Sequence, residues 1–149
     1  MYSARMCFFG FETARRLPLA ASDNDVLVVV EDWIGLIAED RFEDAFCLSA
    51  HHPEQSWTPQ LMQEVIAGYG LPDPHPDGPF SVTPRHQATE TPFNKDVSRI
   101  WEPVGQDGHV AVVQYDLPLN GKWSDLTAEF LLLRRPEAEY LVLQDIHVF

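Results

Sequence analysis

The sequence contains few basic residues, and this scarcity excludes several classes of partner. Ten lysines and arginines stand against 23 aspartates and glutamates, which leaves a formal net charge of −13. A surface this acidic repels the phosphate backbone of nucleic acids and the headgroups of anionic lipids. We therefore expect neither nucleic acid nor a membrane as a partner, whereas a basic protein would be attracted. The alternative is that the acidity only keeps the domain soluble.

Cysteines and long apolar runs are also scarce. The two cysteines, Cys7 and Cys47, have no spacing typical of a metal site or a redox motif. Cys47 lies in an apolar helical stretch, where a free thiol is expected to act as a small core residue. No apolar run reaches the roughly 20 residues of a membrane helix, because Glu31 and Asp32 interrupt residues 26–38. These features predict a reduced, cytoplasmic protein.

Motifs for catalysis and cofactor binding are missing as well. The sequence has no glycine-rich phosphate loop, no nucleophile elbow and no His-Glu-x-x-His zinc pattern. Its six histidines have no ligand spacing, and the adjacent His51 and His52 precede a proline in a predicted turn. We therefore expect no metal and no cofactor.

The length of 149 residues is that of one domain with its own core. Residues 1–20 lack the ordered regions of a secretory signal and are expected to form a loosely held N-terminal arm. The remaining residues, 21–149, are expected to form a single α+β domain. No internal repeat and no linker divides that domain.

Two helical segments are expected in the first half of the domain. Apolar residues recur at helical spacing from the cap at Ser22 to about residue 48, with a break near residues 39–41. A strand over residues 26–30 is the alternative, because consecutive valines disfavour a helix. Thr58 and Pro59 then predict a helix that ends at Gly70. Its expected buried face is formed by Leu61, Met62, Val65, Ile66 and Tyr69.

The second half of the domain is expected to be an antiparallel sheet. Prolines break residues 71–96, although residues 80–83 can form an edge strand with Phe80 and Val82 facing inward. After this segment, alternating apolar residues predict a meander of four strands. The strands are expected near residues 97–104, 109–117, 123–133 and 140–149, with a loop at residues 118–121. The expected core contains Trp33, Ile37, Phe46, Leu61, Val65, Ile100, Val112, Phe130 and Ile146.

This order of elements resembles the cystatin-like α+β cone of nuclear transport factor 2, ketosteroid isomerase and the polyketide-cyclase-like proteins. Residues 38–45, with an acidic turn before Arg41 and Phe42, are similar to the first helix break of that superfamily. The resemblance implies N-terminal helices packed on a curved, mainly antiparallel sheet of four to five strands. It implies no activity, because one fold carries many functions.

Four short pieces of the sequence resemble a family of uncharacterised bacterial domains. They are a helix ending in Tyr-Gly at residues 65–72, a strand at 115–119, the Ser-Asp-Leu-Thr piece at 123–127 and the Asp-Ile-His-Val ending at 145–148. The resemblance implies a small stand-alone bacterial protein, and it implies no established activity.

Three polar residues are candidates for acid/base chemistry. Asp145 and His147 stand two apart on the predicted last strand, so both side chains project from one face, about 7 Å apart. A carboxylate beside an imidazole can act as a general base with its orienting partner, and Asp116 on a neighbouring strand can complete the set. The alternative is that Asp145 satisfies backbone donors and that His147 is a hydrogen-bonded sheet residue.

Tyr115, Trp123 and Asp125 are candidates for lining a binding pocket between the helices and the sheet. The alternative for Asp125 is a turn cap or an ion pair with an arginine. Two functional hypotheses follow, the first from the acidity, the missing catalytic motifs and the resemblance to the bacterial domains, and the second from the candidate site residues. The favoured one is a non-enzymatic protein-binding module of immunity or regulatory type, and the other is a small-molecule-binding protein or acid/base enzyme. Leu131, Leu133, Tyr140 and Val142 form an apolar patch for a homodimer, unless the N-terminal arm covers it.

Overall fold

The computed structural model describes residues 8–69, 79–84, 98–101 and 108–148, and of residues 98–101 it describes the backbone. Helices come first and strands follow, so the α+β class predicted from the sequence is confirmed. Among the described residues, no helix is long and apolar enough to span a membrane. The helices are α1 (Asp23–Ala38), α2 (Phe42–Leu48) and α3 (Pro59–Ala67), and the strands are β1 (Ser98–Trp101), β2 (His109–Leu119), β3 (Lys122–Arg134) and β4 (Glu139–Val148).

Helix α1 begins and ends where local chemistry requires it. The Ser22 hydroxyl accepts a hydrogen bond from the Asp25 backbone N–H, and the Asp25 carboxylate accepts one from the Ser22 N–H. After the helix, Asp40 has a φ of 61°, a left-handed conformation that cannot continue an α-helix. The predicted helix across the valines and the predicted break near residues 39–41 are both confirmed.

Helix α3 starts as predicted but buries a narrower face. The Thr58 hydroxyl accepts a hydrogen bond from the Leu61 N–H, and Pro59 occupies the first helical position. Met62 and Ile66, four residues apart, are fully buried, whereas Leu61 is 37% exposed. The core position predicted for Leu61 is therefore wrong, because the side chain lies about 100° around the helix from Met62. The helix ends at Ala67 and Gly68 is its C-cap, so the predicted stop at Gly70 is wrong by about one turn.

Helix α2 also differs from the sequence prediction in one position. Ala45 and Leu48 carry its buried face, and Cys47 is exposed. The expected role of Cys47 as a core residue is therefore wrong, since the short helix turns the thiol to solvent. Phe46 is half-buried and stacks on the ring of His51, with ring centroids 3.8 Å apart.

The sheet is an antiparallel meander in the order β1-β2-β3-β4, as predicted. Three long strands, β2 to β4, make up most of it, and the four-residue β1 adds to its edge. The sheet is not curled, so the predicted curvature into a cone is wrong. Separate segments cover the outer side of β4 and the end of β2 that β1 does not reach: Ala50 bridges Val142 on β4, and Val82 bridges Leu119 on β2. Residues 80–83 form this isolated bridge and not the predicted edge strand, although Phe80 and Val82 are buried as predicted.

One face of the sheet packs on the helices and forms the main core. Trp33 of α1 is fully buried and meets Phe130 of β3 edge to face, with ring centroids 5.4 Å apart. Of the other predicted core residues, Ile37 and Ile146 are buried, whereas Val112 is only half-buried because it lies on the other face. Phe46 and Val65 pack on the core from its periphery, and the side chain of Ile100 lies outside the described part.

The other face of the sheet is covered at one end by the chain itself. Phe8 and Ala14 pack with Leu133, Tyr140 and Val142 in a second apolar cluster. Phe11 adds an edge contact with the Tyr140 ring at 4.9 Å. The alternative that the N-terminal arm covers this patch within one chain is therefore confirmed. A homodimer through the same patch stays a prediction, and it would require the arm to move.

Glu139 ties the arm to the end of β4. Its side chain is fully buried, and it accepts hydrogen bonds from the backbone N–H groups of Ala20 and Ala21 at 3.1 and 3.0 Å. It also forms an ion pair with Arg134, with 2.6 Å between Nε and Oε2. The Glu139 backbone adds two hydrogen bonds with Leu17. These contacts fix the arm just before helix α1 begins.

His51 is expected to make the stability of the fold depend on pH. Its ring is buried and its Nε2 lies 2.7 Å from the Phe46 carbonyl oxygen. Burial lowers the His51 pKa below its usual 6.5, although the Phe46 carbonyl raises it in part. As the pH falls through 6.5, the unfolded chain takes up the proton before the folded one. The free energy of unfolding is therefore expected to decrease from that pH downward.

Urea unfolding at a series of pH values measures this effect. His51→Gln keeps a donor for the Phe46 carbonyl and should flatten the slope below pH 6.5. His52→Gln, one residue away and less buried, retains His51 and should retain its slope. A slope that survives in the His51→Gln variant would show that another group is responsible.

Candidate functional site

The three acid/base candidates lie together on one face of the sheet. In the strand register Asp116 pairs with Thr127, and Thr127 pairs with His147. The Thr127 hydroxyl donates a hydrogen bond of 2.9 Å to Asp116 Oδ1. A parallel row follows, in which Glu129 pairs with Gln114 on one side and with Asp145 on the other.

Asp145 and His147 contact each other directly. The distance from His147 Nδ1 to Asp145 Oδ2 is 2.8 Å, and the two side chains are 32% and 48% exposed for His147 and Asp145 respectively. The other oxygen of Asp145 accepts a hydrogen bond from the Ile146 N–H. The shared face predicted from the two-residue spacing is therefore confirmed, and so is the backbone donor named as the alternative role of Asp145.

This face points away from the helices. Leu126, Ala128 and Phe130 of β3 belong to the core with the helices, and Thr127 and Glu129 alternate with them. Asp145 and His147 pair with these two alternating residues. The expected arrangement, with the acid/base candidates in a pocket between helices and sheet, is therefore not what the structure contains. Large apolar side chains such as Trp33 occupy the space between the two layers.

A pocket of about 490 Å³ lies instead at the turn between β2 and β3, and we call it the hairpin pocket. The turn consists of Asn120 and Gly121, with φ values of 49° and 85°, as in a two-residue type I′ hairpin. The longer loop predicted at residues 118–121 is therefore wrong, because Pro118 and Leu119 continue β2. The pocket is lined by Tyr69, Phe80, Leu119, Asn120, Lys122, Trp123 and Ser124.

The three binding candidates all contribute to the hairpin pocket or its support. Trp123 lines it, and the buried Tyr115 contacts the Trp123 ring edge to face at 6.0 Å. Asp125 accepts a hydrogen bond from the Tyr69 hydroxyl, which joins the end of α3 to β3. Burial raises the pKa of the Tyr69 hydroxyl, and the hydrogen bond to Asp125 raises it further. Tyr69 therefore stays protonated and remains a donor to Asp125.

The tip of the hairpin is held by residues 79–84. Asn120 Oδ1 accepts a hydrogen bond from the Ser81 N–H at 3.0 Å, and the Asn120 N–H donates to the Ser81 carbonyl. The Thr83 hydroxyl accepts from the Gly121 N–H at 2.7 Å. Phe80 follows Pro79 in the same segment and meets Tyr69 edge to face at 4.9 Å. One wall of the pocket is thus tied to the turn by short polar side chains.

Of the seven residues that line this pocket, Trp123 alone is a binding candidate predicted from the sequence, and the other six were missed. Asn120 and Gly121 form the strongest short hairpin signal that a sequence offers, and it would have placed Lys122 at the start of β3. Tyr69 was assigned to the core, and Phe80 to the inner face of an edge strand. No periodicity indicates that the end of α3 meets the hairpin, because the two are more than fifty residues apart.

The helices form a second candidate surface, which we call the acidic helical layer and define as residues 22–69. This segment contains ten acidic residues and one basic residue, Arg41. Arg41 is itself paired with Asp44 and Glu39. The hydrogen bond and charge of Asp44, helped by Glu39, raise the pKa of the Arg41 guanidinium. The layer thus carries most of the net negative charge of the chain.

A groove of about 300 Å³ crosses this layer next to the arm. Glu31, Asp32 and Glu39 supply carboxylates to its lining, and Arg15 of the arm pairs with Asp32 at 2.9 Å. Gly35 leaves the groove open, since a Cβ atom at that position would meet no heavy atom within 4 Å. The groove therefore presents negative charge around a space that a side chain can enter.

Within the described part of the chain, no group of three or more His, Cys, Asp or Glu side chains is placed to hold a metal ion. No protein-family model, curated protein or solved structure matches the chain. The resemblance to cystatin-like proteins therefore extends to the α+β order of elements alone, helices followed by an antiparallel sheet.

Proposed function

We propose that the chain is a non-enzymatic protein-binding module, of immunity or regulatory type, that recognises a basic protein through the acidic helical layer. The observation that carries this proposal is the charge distribution: ten acidic residues and one basic residue lie within residues 22–69. A one-sided field of this kind accelerates encounter with a positively charged surface and disfavours acidic partners.

The groove in the layer suggests how such a partner is recognised. Its carboxylates from Glu31, Asp32 and Glu39 surround an opening at Gly35. Arg15 already places a guanidinium beside Asp32, which illustrates the chemistry that this groove accepts. A lysine or arginine of the partner is expected to enter beside it and to be attracted by the carboxylates of the groove, of which Glu39 also pairs with Arg41.

Charge reversal tests this proposal. The partner is first isolated from the native host by pull-down, with the product of the neighbouring gene included as a candidate. For that partner, Glu39→Lys with Glu43→Lys in the acidic helical layer should raise the Kd by about tenfold or more. Both side chains are exposed, so the fold should be retained. The effect should shrink as ionic strength rises, because salt screens exposed charges.

The matched control carries the same charge change elsewhere. Glu12→Lys with Glu137→Lys alters two exposed carboxylates outside the layer and should change the Kd by less than about threefold. Equal losses in the two double variants would mean that net charge, and not this surface, governs binding. If no basic protein is retained at all, the proposal fails.

We also propose the relation to the uncharacterised bacterial domains. The Ser-Asp-Leu-Thr piece and the Asp-Ile-His-Val ending, which carry the resemblance, are neighbours in the sheet: Leu126 pairs with Val148 and Thr127 with His147. The two pieces therefore form one contiguous part of the sheet, as is expected if they belong to one shared structural unit of those domains. A sequence that preserves this pair of motifs while lacking an α+β fold would contradict the relation.

A further inference from the structure

Lys122 is an exposed cation that has no ion pair in the described structure, although the chain is strongly acidic. Arg15, Arg41, Arg134 and Arg135 all lie within 4.0 Å of a carboxylate, whereas Arg16, like Lys122, has no ion pair among the described residues but lies outside the pocket. The type I′ turn at Asn120 and Gly121 places Lys122 at the first position of β3, in the lining of the hairpin pocket. A positive charge at the mouth of a pocket indicates an anionic group on the ligand.

Aromatic rings form much of the remaining lining. Tyr69 and Phe80 meet edge to face, and Trp123 is half-buried with the Tyr115 ring behind it. The hydroxyl of Tyr69 is engaged by Asp125, which fixes the orientation of the ring. Rings held in this way offer faces and edges to a flat ligand. Contacts between aromatic rings stabilise a complex by more than the buried apolar area alone would provide.

We propose that the hairpin pocket binds a small planar aromatic carboxylate. Its ring would lie against Trp123 and Tyr69, and its carboxylate would pair with the Lys122 ammonium. The volume of about 490 Å³ lies in the usual range of pockets for small ligands. Ser124 also lines the pocket, but its hydroxyl already donates to the Leu117 carbonyl and accepts from the Leu126 N–H, so recognition of the carboxylate depends on Lys122.

Two other ligand chemistries fit the lining less well. An aromatic cage can hold a quaternary ammonium, but Lys122 would repel a cation at the mouth. A phosphate usually requires several donors, such as an arginine or the N–H groups of a helix N-terminus, and the lining contains one lysine. A singly charged carboxylate on an aromatic ring matches one cation and several rings.

Titration calorimetry with a small panel of probes tests the proposal on the full chain. Indole-3-carboxylate is expected to bind with a Kd below about 1 mM, which is a modest affinity for a single charged contact and a ring. Indole-3-carboxamide, which keeps the ring without the charge, should bind at least about tenfold more weakly. Cyclohexanecarboxylate, which keeps the charge without the aromatic ring, should be similarly weakened.

Variants separate the two parts of the site. Lys122→Gln should weaken indole-3-carboxylate at least about tenfold and leave indole-3-carboxamide unchanged, because the exposed side chain contributes charge alone. Lys122→Arg should restore binding, whereas Trp123→Leu should weaken both probes. Arg135→Gln removes an exposed cation elsewhere and should have no effect.

Three outcomes would overturn the proposal. The first is that indole-3-carboxylate does not bind at about 5 mM, which is above the expected Kd. The second is that the acid and the amide bind with equal affinity. The third is that Lys122→Gln binds indole-3-carboxylate as tightly as the parent protein. The hairpin pocket shares no lining residue with the groove of the acidic helical layer. If the pocket does not bind the aromatic carboxylate, the protein-binding proposal is therefore unaffected. If the charge-reversal variants do not weaken protein binding, the ligand proposal is likewise unaffected.

Discussion

Replacing Glu139 by alanine is expected to lower the free energy of unfolding by about 3 kcal/mol, which corresponds to about 10 °C in Tm for a chain of this size. The carboxylate is fully buried and serves three donors, the N–H groups of Ala20 and Ala21 and the Arg134 guanidinium. Its removal leaves the buried Ala21 N–H without its acceptor. Arg134 is 41% exposed and can regain water, which keeps the loss at the lower end of the range for buried pairs.

The same turn supplies the control for this prediction. Glu137 is exposed, lies 3.4 Å from Arg135 and accepts a hydrogen bond from the Tyr140 hydroxyl. Because surface ion pairs contribute little, Glu137→Ala should cost no more than about 1 kcal/mol. Glu139→Gln should fall between the two, since the amide oxygen still accepts one backbone N–H. Urea unfolding followed by circular dichroism measures all three, and equal losses at positions 137 and 139 would contradict the assignment.

The loss should also be visible locally. Glu139 holds the backbone just before α1, where Ala20 has a left-handed φ of 58°. In Glu139→Ala, the amides of residues 14–21 should exchange with deuterium faster than they do in the parent protein. The amides of β3 should change less. Uniformly faster exchange across the whole chain would mean that Glu139 stabilises the domain without specifically fixing the arm.

The second large effect is expected at Trp33. Trp33→Ala should lower the free energy of unfolding by about 3 to 5 kcal/mol, because it removes the largest fully buried side chain and leaves a cavity against Phe130. This substitution removes the ring contact between α1 and β3 within the main core. Loss of the near-ultraviolet circular dichroism signal of the aromatic core should accompany the loss of stability.

Two variants of the same helix bracket this prediction. Trp33→Phe should cost less than Trp33→Ala, because it keeps an aromatic ring and removes an indole N–H that has no hydrogen-bond partner among the described residues. Val28, which is 46% exposed on α1, provides the surface control. Val28→Ala should change stability by less than about 0.5 kcal/mol, since alanine also favours the helix. A comparable loss at positions 28 and 33 would contradict the packing described here.

Local chemistry explains why most of the elements could be predicted from the sequence. Ser22 and Thr58 cap helices through contacts within three residues, and the alternation in β3 requires no partner to be recognised. The helix break at Asp40 is likewise a local backbone feature. Burial was predicted wrongly at Leu61 and Cys47. At these positions the apolar residues of the helix extend beyond one face, and the sequence does not indicate which of them are buried.

The candidate site could be predicted only in fragments. The shared face of Asp145 and His147 follows from their spacing, whereas Trp123 lines a pocket at the β2–β3 turn and not the pocket predicted between the helices and the sheet. The other members of the hairpin pocket come from α3 and from residues 79–84. Contacts such as Tyr69 with Asp125 depend on loop closure over more than fifty residues, and no local pattern encodes them.

By itself, the sequence determined the α+β class, the order of the strands and the pairs of residues that share a face. From the sequence, Phe130 and Ile146 are expected in the core and Asp145 and His147 in a pocket on the same, helical side, and only the tertiary structure decided which pair faces the helices. That choice directed Phe130 and Ile146 into the core and Asp145 and His147 to the opposite side. The physical reason is that a two-residue period defines two faces equally well. The face buried is set by the total apolar area that the helices and the N-terminal arm can cover on each side.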